Sequence, residues 1–101
     1  MFNQRIMKIN YFWCIIILLL SCNSHGQYPE VENDLDRKVK AFLEENANNW
    51  RDMNVSLEDG RILYDLIINN NYTKAVEIGT STGHSAIWMA WALSKTGGKL
   101  V

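Results

Sequence analysis

"AVEIGTSTGHS", Ala75 to Ser85, decides how the chain is read. Its centre fits two motifs that demand different chemistry. As G-x-S-x-G, Gly79-Thr80-Ser81-Thr82-Gly83 is a nucleophile elbow, in which Ser81 would attack an ester. As an acidic residue followed by a glycine-rich turn, the stretch is a cofactor-binding loop that makes no bond itself. Both need a strand before the turn and a helix after it, so the flanking sequence has to separate them.

Ala75 to Ile78 reads as a short apolar strand with Glu77 in it. From Gly83 a helical pattern turns Ala86, Ile87, Ala90, Trp91 and Leu93 toward a core, and Gly97-Gly98 stops it. Trp88 and Trp91, one turn apart, read as packing. Leu100-Val101 starts a second strand. Upstream, Ser56-Leu57-Glu58-Asp59 fits a capping box with Asp in place of Glu. It predicts a helix from Leu57 to Ile68 with Leu63, Leu66 and Ile67 inward, ended by "NNNY". Earlier still, Pro29 opens a helical pattern with Glu30, Glu32 and Asp34 in its first turn. Val31, Leu35, Val39, Phe42 and Leu43 form its apolar face, and Trp50 reads as a lid or core residue.

The order is helix, helix, strand, glycine turn, helix, strand. That is the opening of a doubly wound, Rossmann-like α/β sheet with one βαβ unit barely complete. A parallel sheet needs several strands and both faces covered. Residues 30–101 are therefore expected to be the truncated N-terminal portion of a longer α/β domain.

The chain has 101 residues, 48% hydrophobic, and a formal charge of -1, which suits at most one small domain. No basic excess points to nucleic acid. Met1 to Asn10 carries Arg5 and Lys8 and no acid, and "YFWCIIILLL" (Tyr11 to Leu20) is uninterrupted apolar sequence. A basic start, a short apolar run and a small-residue boundary make a secretory signal over residues 1–21. The run is too short to span a bilayer, which takes about 20 apolar residues. "LLSC" (Leu19 to Cys22) resembles the bacterial lipobox, so Cys22 is expected to carry a lipid anchor. Residues 22–29 then form a tether, and the protein is an exported, membrane-anchored lipoprotein. Cys14 leaves with the signal, so no disulfide framework remains. The sequons at Asn54 and Asn71 carry little weight behind a bacterial signal, and Ser56 has a capping role already.

The elbow reading demands an oxyanion loop and several strands upstream, and a triad histidine well downstream of the serine. Two helices precede the turn here, no His-Gly-Gly stretch exists, and His84 lies on the turn itself. The cofactor reading finds its parts. Gly79 and Gly83 let the backbone approach a ligand closely. The helix N-terminus offers free N–H groups. Glu77 stands at the strand's C-terminal end, where open α/β sheets bind ligands, and suits a cationic amine. Ser81 occupies the place of the second glycine of a dinucleotide fingerprint, which favours a ligand smaller than a dinucleotide.

"NVSLEDGRILYDLI" with "AVEIGTSTGHSAIWMAWALSKTGGKLV" resembles class I S-adenosylmethionine-dependent O-methyltransferases of the catechol and caffeoyl-CoA type, over about Met53 to Val101. "MNV" (Met53-Asn54-Val55) resembles the segment that closes over the cofactor. "EIGTSTGHS" resembles the family's first motif. By that resemblance Glu77 and Gly79 line the methionine end of S-adenosylmethionine, Gly83 shapes the turn, Ser85 holds the cofactor carboxylate, and Ser81 lines the site. His84 replaces the family's usual Tyr. The resemblance implies methyl transfer to a hydroxyl of a small acceptor with Mg²⁺ assistance, and allows a homodimer. The ribose-binding acid, the metal ligands and the catalytic lysine would lie past Val101, so no catalytic or metal-binding residue is expected within these 101 residues. Because export separates the protein from the cytoplasm, a second reading is a membrane-anchored binding or interaction protein on a methyltransferase-like scaffold. A serine hydrolase using Ser81 is the third.

Overall fold

Polar and glycine residues set the helix ends. The computed structural model describes residues 26–51 and 53–101, so the signal segment, Cys22 and the first half of the tether lie outside the described residues. Helix α1 (Asp34–Glu45) is capped by Asn33, whose side chain accepts from the Asp36 amide at 2.9 Å. The Asp36 carboxylate accepts in return from the Asn33 amide at 3.2 Å. This reciprocal box satisfies two donors that the first turn would otherwise leave open. It also corrects the expected start: the helix opens at Asp34, and Pro29 is buried in the segment that leads to it.

Helix α2 (Leu57–Asn70) starts where the Ser56 hydroxyl accepts from the Asp59 amide at 3.0 Å, and ends at Asn71 in left-handed geometry. Strand β1 (Lys74–Ala75) follows, then helix α3 (His84–Thr96), closed by Gly97 at φ 73°, then strand β2 (Lys99–Leu100). The strands are parallel, Lys74 opposite Lys99 and Ala75 opposite Leu100. The expected strand to Ile78 is shorter as a regular element, although pairing runs on through the Glu77 amide to the Val101 carbonyl at 2.8 Å. Ala75 and Leu100 pack on the core, whereas Val76, Ile78 and Val101 are exposed.

Trp88 is the centre of the core, with no exposed surface. Its indole stacks on Tyr28 at 5.7 Å and meets the Tyr64 ring edge-on at 6.4 Å. Burying about 200 Å² of indole at about 25 cal/mol per Å² is worth about 5 kcal/mol. Such depth requires α2 to come very close, and Gly60 permits it: a Cβ there would lie 2.4 Å from Trp88 Cδ1 and Nε1. This close approach corrects the expected inner face of α2. Gly60, Tyr64 and Ile67 are buried, Leu63 is half-buried, and Leu66 is exposed. On α3, Trp91 and Leu93 are buried as expected, joined by Trp88, Met89 and Ala92, but Ala90 faces out.

The face of α1 differs for an electrostatic reason. Val31, Leu35 and Phe42 are exposed, and Asp36 is fully buried beside Leu43. The Asp36 carboxylate accepts from Trp91 Nε1 at 2.7 Å, from Lys95 Nζ at 2.9 Å and from the Glu32 amide at 2.9 Å. Burial pushes the Asp36 carboxyl up, but the bonds from Trp91, Lys95 and the Glu32 amide outweigh it and bring it down to about 2. Burial likewise pulls Lys95 down, and its bonds to Asp36 and Glu32 raise it to about 12. The pair fastens α1 to α3. Hydrophobic periodicity alone could not show it, because a buried aspartate reads as a break in the apolar stripe.

Candidate functional site

β1 delivers Glu77 to the mouth of the glycine turn. Within five residues the backbone is left-handed at Gly79 (φ 81°), Ser81 (φ 52°) and Gly83 (φ 99°). Only glycine takes this geometry freely; at Ser81 it costs about 1 kcal/mol. The Gly83 amide closes the turn onto the Thr80 carbonyl at 3.0 Å. A Cβ at Gly79 or Gly83 would meet nothing within 4 Å, so space in front of the turn is open and the glycines answer to φ alone.

The turn folds the chain back so that the Ser85 hydroxyl donates to the Glu77 carboxylate. Glu77 is half-buried, and among the described residues it enters no ion pair. Gly83 caps α3 without a side-chain hydrogen bond, unlike Asn33 and Ser56 at the other helices. The first-turn amides of a helix have no partner within it, and they carry the positive end of its dipole. A carboxylate, a hydroxyl and an uncapped helix start thus meet around one open turn. That donor set suits a ligand carrying both an ammonium and a carboxylate.

A second segment lies against the turn. Asn54 Nδ2 donates to Thr82 Oγ1 at 2.7 Å, and also to the Arg51 carbonyl. The Val55 carbonyl lies 2.8 Å from His84 Nδ1. Met53 stands apart: its side chain is wholly exposed and its backbone is left-handed at φ 52°. Ser81 is exposed on the turn. Of the residues expected from the sequence, Glu77, Gly79, Gly83, Ser85, Asn54 and Val55 converge.

His84, to which motif reading assigns no role, is 3% exposed. Besides the Val55 bond, its Nε2 accepts from Trp88 Nε1 at 3.0 Å, and its ring stacks on Trp50 at 4.5 Å. Trp50 therefore belongs with the core, edge-on to Phe42 at 6.2 Å. With both ring nitrogens engaged elsewhere, His84 is not poised to take a proton from Ser81. A cavity of about 260 Å³ lies beneath, lined by Leu43, Trp50, Val55, Leu57 and His84 among others.

A family profile described as O-methyltransferase matches residues 29–101, from the lead-in of α1 through the glycine turn to β2. The chain belongs to the O-methyltransferase family. Members of this family use S-adenosylmethionine as methyl donor. The three helices and two short parallel strands among the described residues are consistent with a partial Rossmann-like fold of that family. Neither the curated proteins nor the solved structures gave a match. Among the described residues there is no group of three or more His, Cys, Asp or Glu side chains that could hold a metal ion. No helix among them is long and apolar enough to cross a membrane.

Proposed function

We propose that this O-methyltransferase binds the methionine end of S-adenosylmethionine at the glycine turn and methylates a hydroxyl of a small, catechol-like acceptor. The observation that carries the reading is the Glu77–Ser85 hydrogen bond across a turn whose two glycines open onto free space. Glu77 accepts from the cofactor ammonium, a charge-assisted bond. The backbone amide of Ser85, with the other first-turn amides of α3, meets its carboxylate, while the Ser85 hydroxyl holds Glu77 in place. Gly79 and Gly83 admit it, Ser81 lines the approach, and Met53, Asn54 and Val55 border it. When bound, the cofactor supplies an electrophilic methyl group on sulfur. An acceptor oxygen would form the new C–O bond as that methyl's C–S bond breaks, leaving a neutral thioether, with the hydroxyl proton passing to solvent. Mg²⁺, implied by the resemblance, would polarise the acceptor hydroxyl, but the described residues offer no site to hold it.

The reading extends to location. Cys22 is the lipidated first residue of an exported, membrane-anchored enzyme, supported by the basic start, the short apolar run and "LLSC". Intact-mass analysis of detergent-extracted protein is expected to give a chain beginning at Cys22 with an acyl mass; a chain still carrying Met1 contradicts it. For the chemistry, the intact protein is incubated with methyl-labelled S-adenosylmethionine and catechol, with and without Mg²⁺. Label is expected in an O-methyl product, and in greater amount with Mg²⁺. No transfer to any hydroxylated aromatic acceptor sinks the proposal.

A further inference from the structure

We infer that His84 is a positioning residue, which holds the segment 53–55 at the glycine turn through its Nδ1–H. The inference rests on the cofactor reading above for its consequence, but its geometry is independent of it. The Val55 carbonyl can only accept, so Nδ1 of His84 carries the proton. The Trp88 indole N–H can only donate, so Nε2 is bare. A single neutral tautomer satisfies both partners, and the stack on Trp50 fixes the plane of the ring.

Three observations make this bond the one that sets the segment's place. Asn54 and Val55 line the 260 Å³ cavity, so one side of the segment faces open space rather than packed side chains. The hydrogen bond from Asn54 to Thr82, a further link to the turn, is exposed to water and correspondingly weaker. Met53 makes no anchor, being wholly exposed. The bond at Val55, by contrast, comes from a ring that is 3% exposed and held on two further sides. His84 is also the first residue of α3, between Gly83 and Ser85. It therefore joins one border of the site to the helix start that forms another.

The two ring nitrogens can be tested separately. In His84→Asn the side-chain amide nitrogen falls near the place of Nδ1 and keeps a donor for Val55. In His84→Gln the longer amide reaches the place of Nε2 and keeps a partner for Trp88 instead. Two readouts on the intact protein are hydrogen exchange of the amides of residues 54–56 and calorimetric titration with S-adenosylmethionine. His84→Asn is expected to stay within about threefold of wild type in both. His84→Gln is expected to exchange faster and to bind about tenfold more weakly, as loss of a hydrogen bond at a part-buried carbonyl implies. The methyl-transfer rate at saturating cofactor should change less than the affinity. Equal behaviour of the two variants, or the reverse order, overturns the inference, since a role in the core alone favours the variant that keeps Trp88 bonded. Failure of His84→Asn to fold while His84→Gln folds counts against it in the same way. If the wild type binds no cofactor, the proposed function fails, while the exchange contrast still judges the role of His84.

Discussion

Replacing Gly60 by alanine sets two known effects against each other. Gly60 lies inside α2, where alanine is intrinsically better by about 1 kcal/mol. On propensity alone Gly60→Ala stabilises the protein. The new Cβ, however, would lie 2.4 Å from two indole atoms of Trp88 and 2.8 Å from a third. Carbon atoms pack at about 3.5–4.0 Å, so more than an ångström must open. Trp88 cannot yield easily, because it has no exposed surface and is ringed by Tyr28, Tyr64 and Trp91. Overpacking of this kind costs about 1–3 kcal/mol, and displacing the indole adds about 1 kcal/mol for its bond to His84. After subtracting the helical gain, the net loss is about 1–3 kcal/mol. For a domain of this size that lowers the melting temperature by roughly 5–20 °C. Thermal unfolding followed by circular dichroism measures it, with Asn69→Ala on the exposed side of α2 as the control that shows propensity alone. A melting temperature for Gly60→Ala equal to or above wild type would refute the close packing of α2 on α3.

Four further outcomes concern other parts of the fold. Asp36→Ala removes the partner of Lys95 and Trp91 and is expected to cost about 3–5 kcal/mol, read by denaturant unfolding. Because the Asp36 carboxyl lies at about 2, below its ordinary 3.8, its contribution is complete above about pH 4 and is lost as pH falls toward 2. Lys95 acts in the opposite sense: raised from 10.5 to about 12, it contributes fully below its ordinary value and fails as pH rises through 12. Wild type should therefore lose more stability between pH 4 and 2 than Asp36→Asn does, and matching profiles would count against the pair. In Gly98→Ala the added carbon would meet Leu93 Cδ2 at 2.6 Å and the Thr73 carbonyl at 2.7 Å, which should cost about 2 kcal/mol in the same assay. Ser81→Ala should keep methyl transfer, losing at most about 1 kcal/mol of cofactor binding; an esterase activity of the wild type that disappears in Ser81→Ala would restore the nucleophile reading.

Local chemistry made much of this legible in advance. Ser56, Asn71 and Gly97 act at the helix ends for which the sequence marks them, since capping and left-handed geometry depend on a few adjacent residues. The strand-turn-helix around Glu77 and Ser85 was likewise local, with two glycines and an acid at fixed spacing. What escaped was set by partners distant in sequence. Asp36 is buried because Trp91 and Lys95 meet it from 55 and 59 residues away. Gly60 is a core position because Trp88 needs the room. His84 looked like a substitution in a motif, and only the fold brings the Val55 carbonyl to its ring. The start of α1 was misplaced because a proline and three acids mark a first turn as well as Asn33 does; the reciprocal bond with Asp36 decides between them.

The central claim is that the Glu77 carboxylate and the turn behind it receive S-adenosylmethionine. Isothermal titration of the intact protein with that compound, for wild type, Glu77→Gln and Gly79→Val, tests it most directly. Wild type is expected to bind. Glu77→Gln exchanges a charge-assisted bond for a neutral one, which loses about 1.4 kcal/mol, or about tenfold in affinity. Gly79→Val places a branched side chain in the open space before the turn, on a backbone at φ 81° that valine resists, and should abolish binding. No heat of binding with wild type, or an affinity unchanged in Glu77→Gln, would contradict the account.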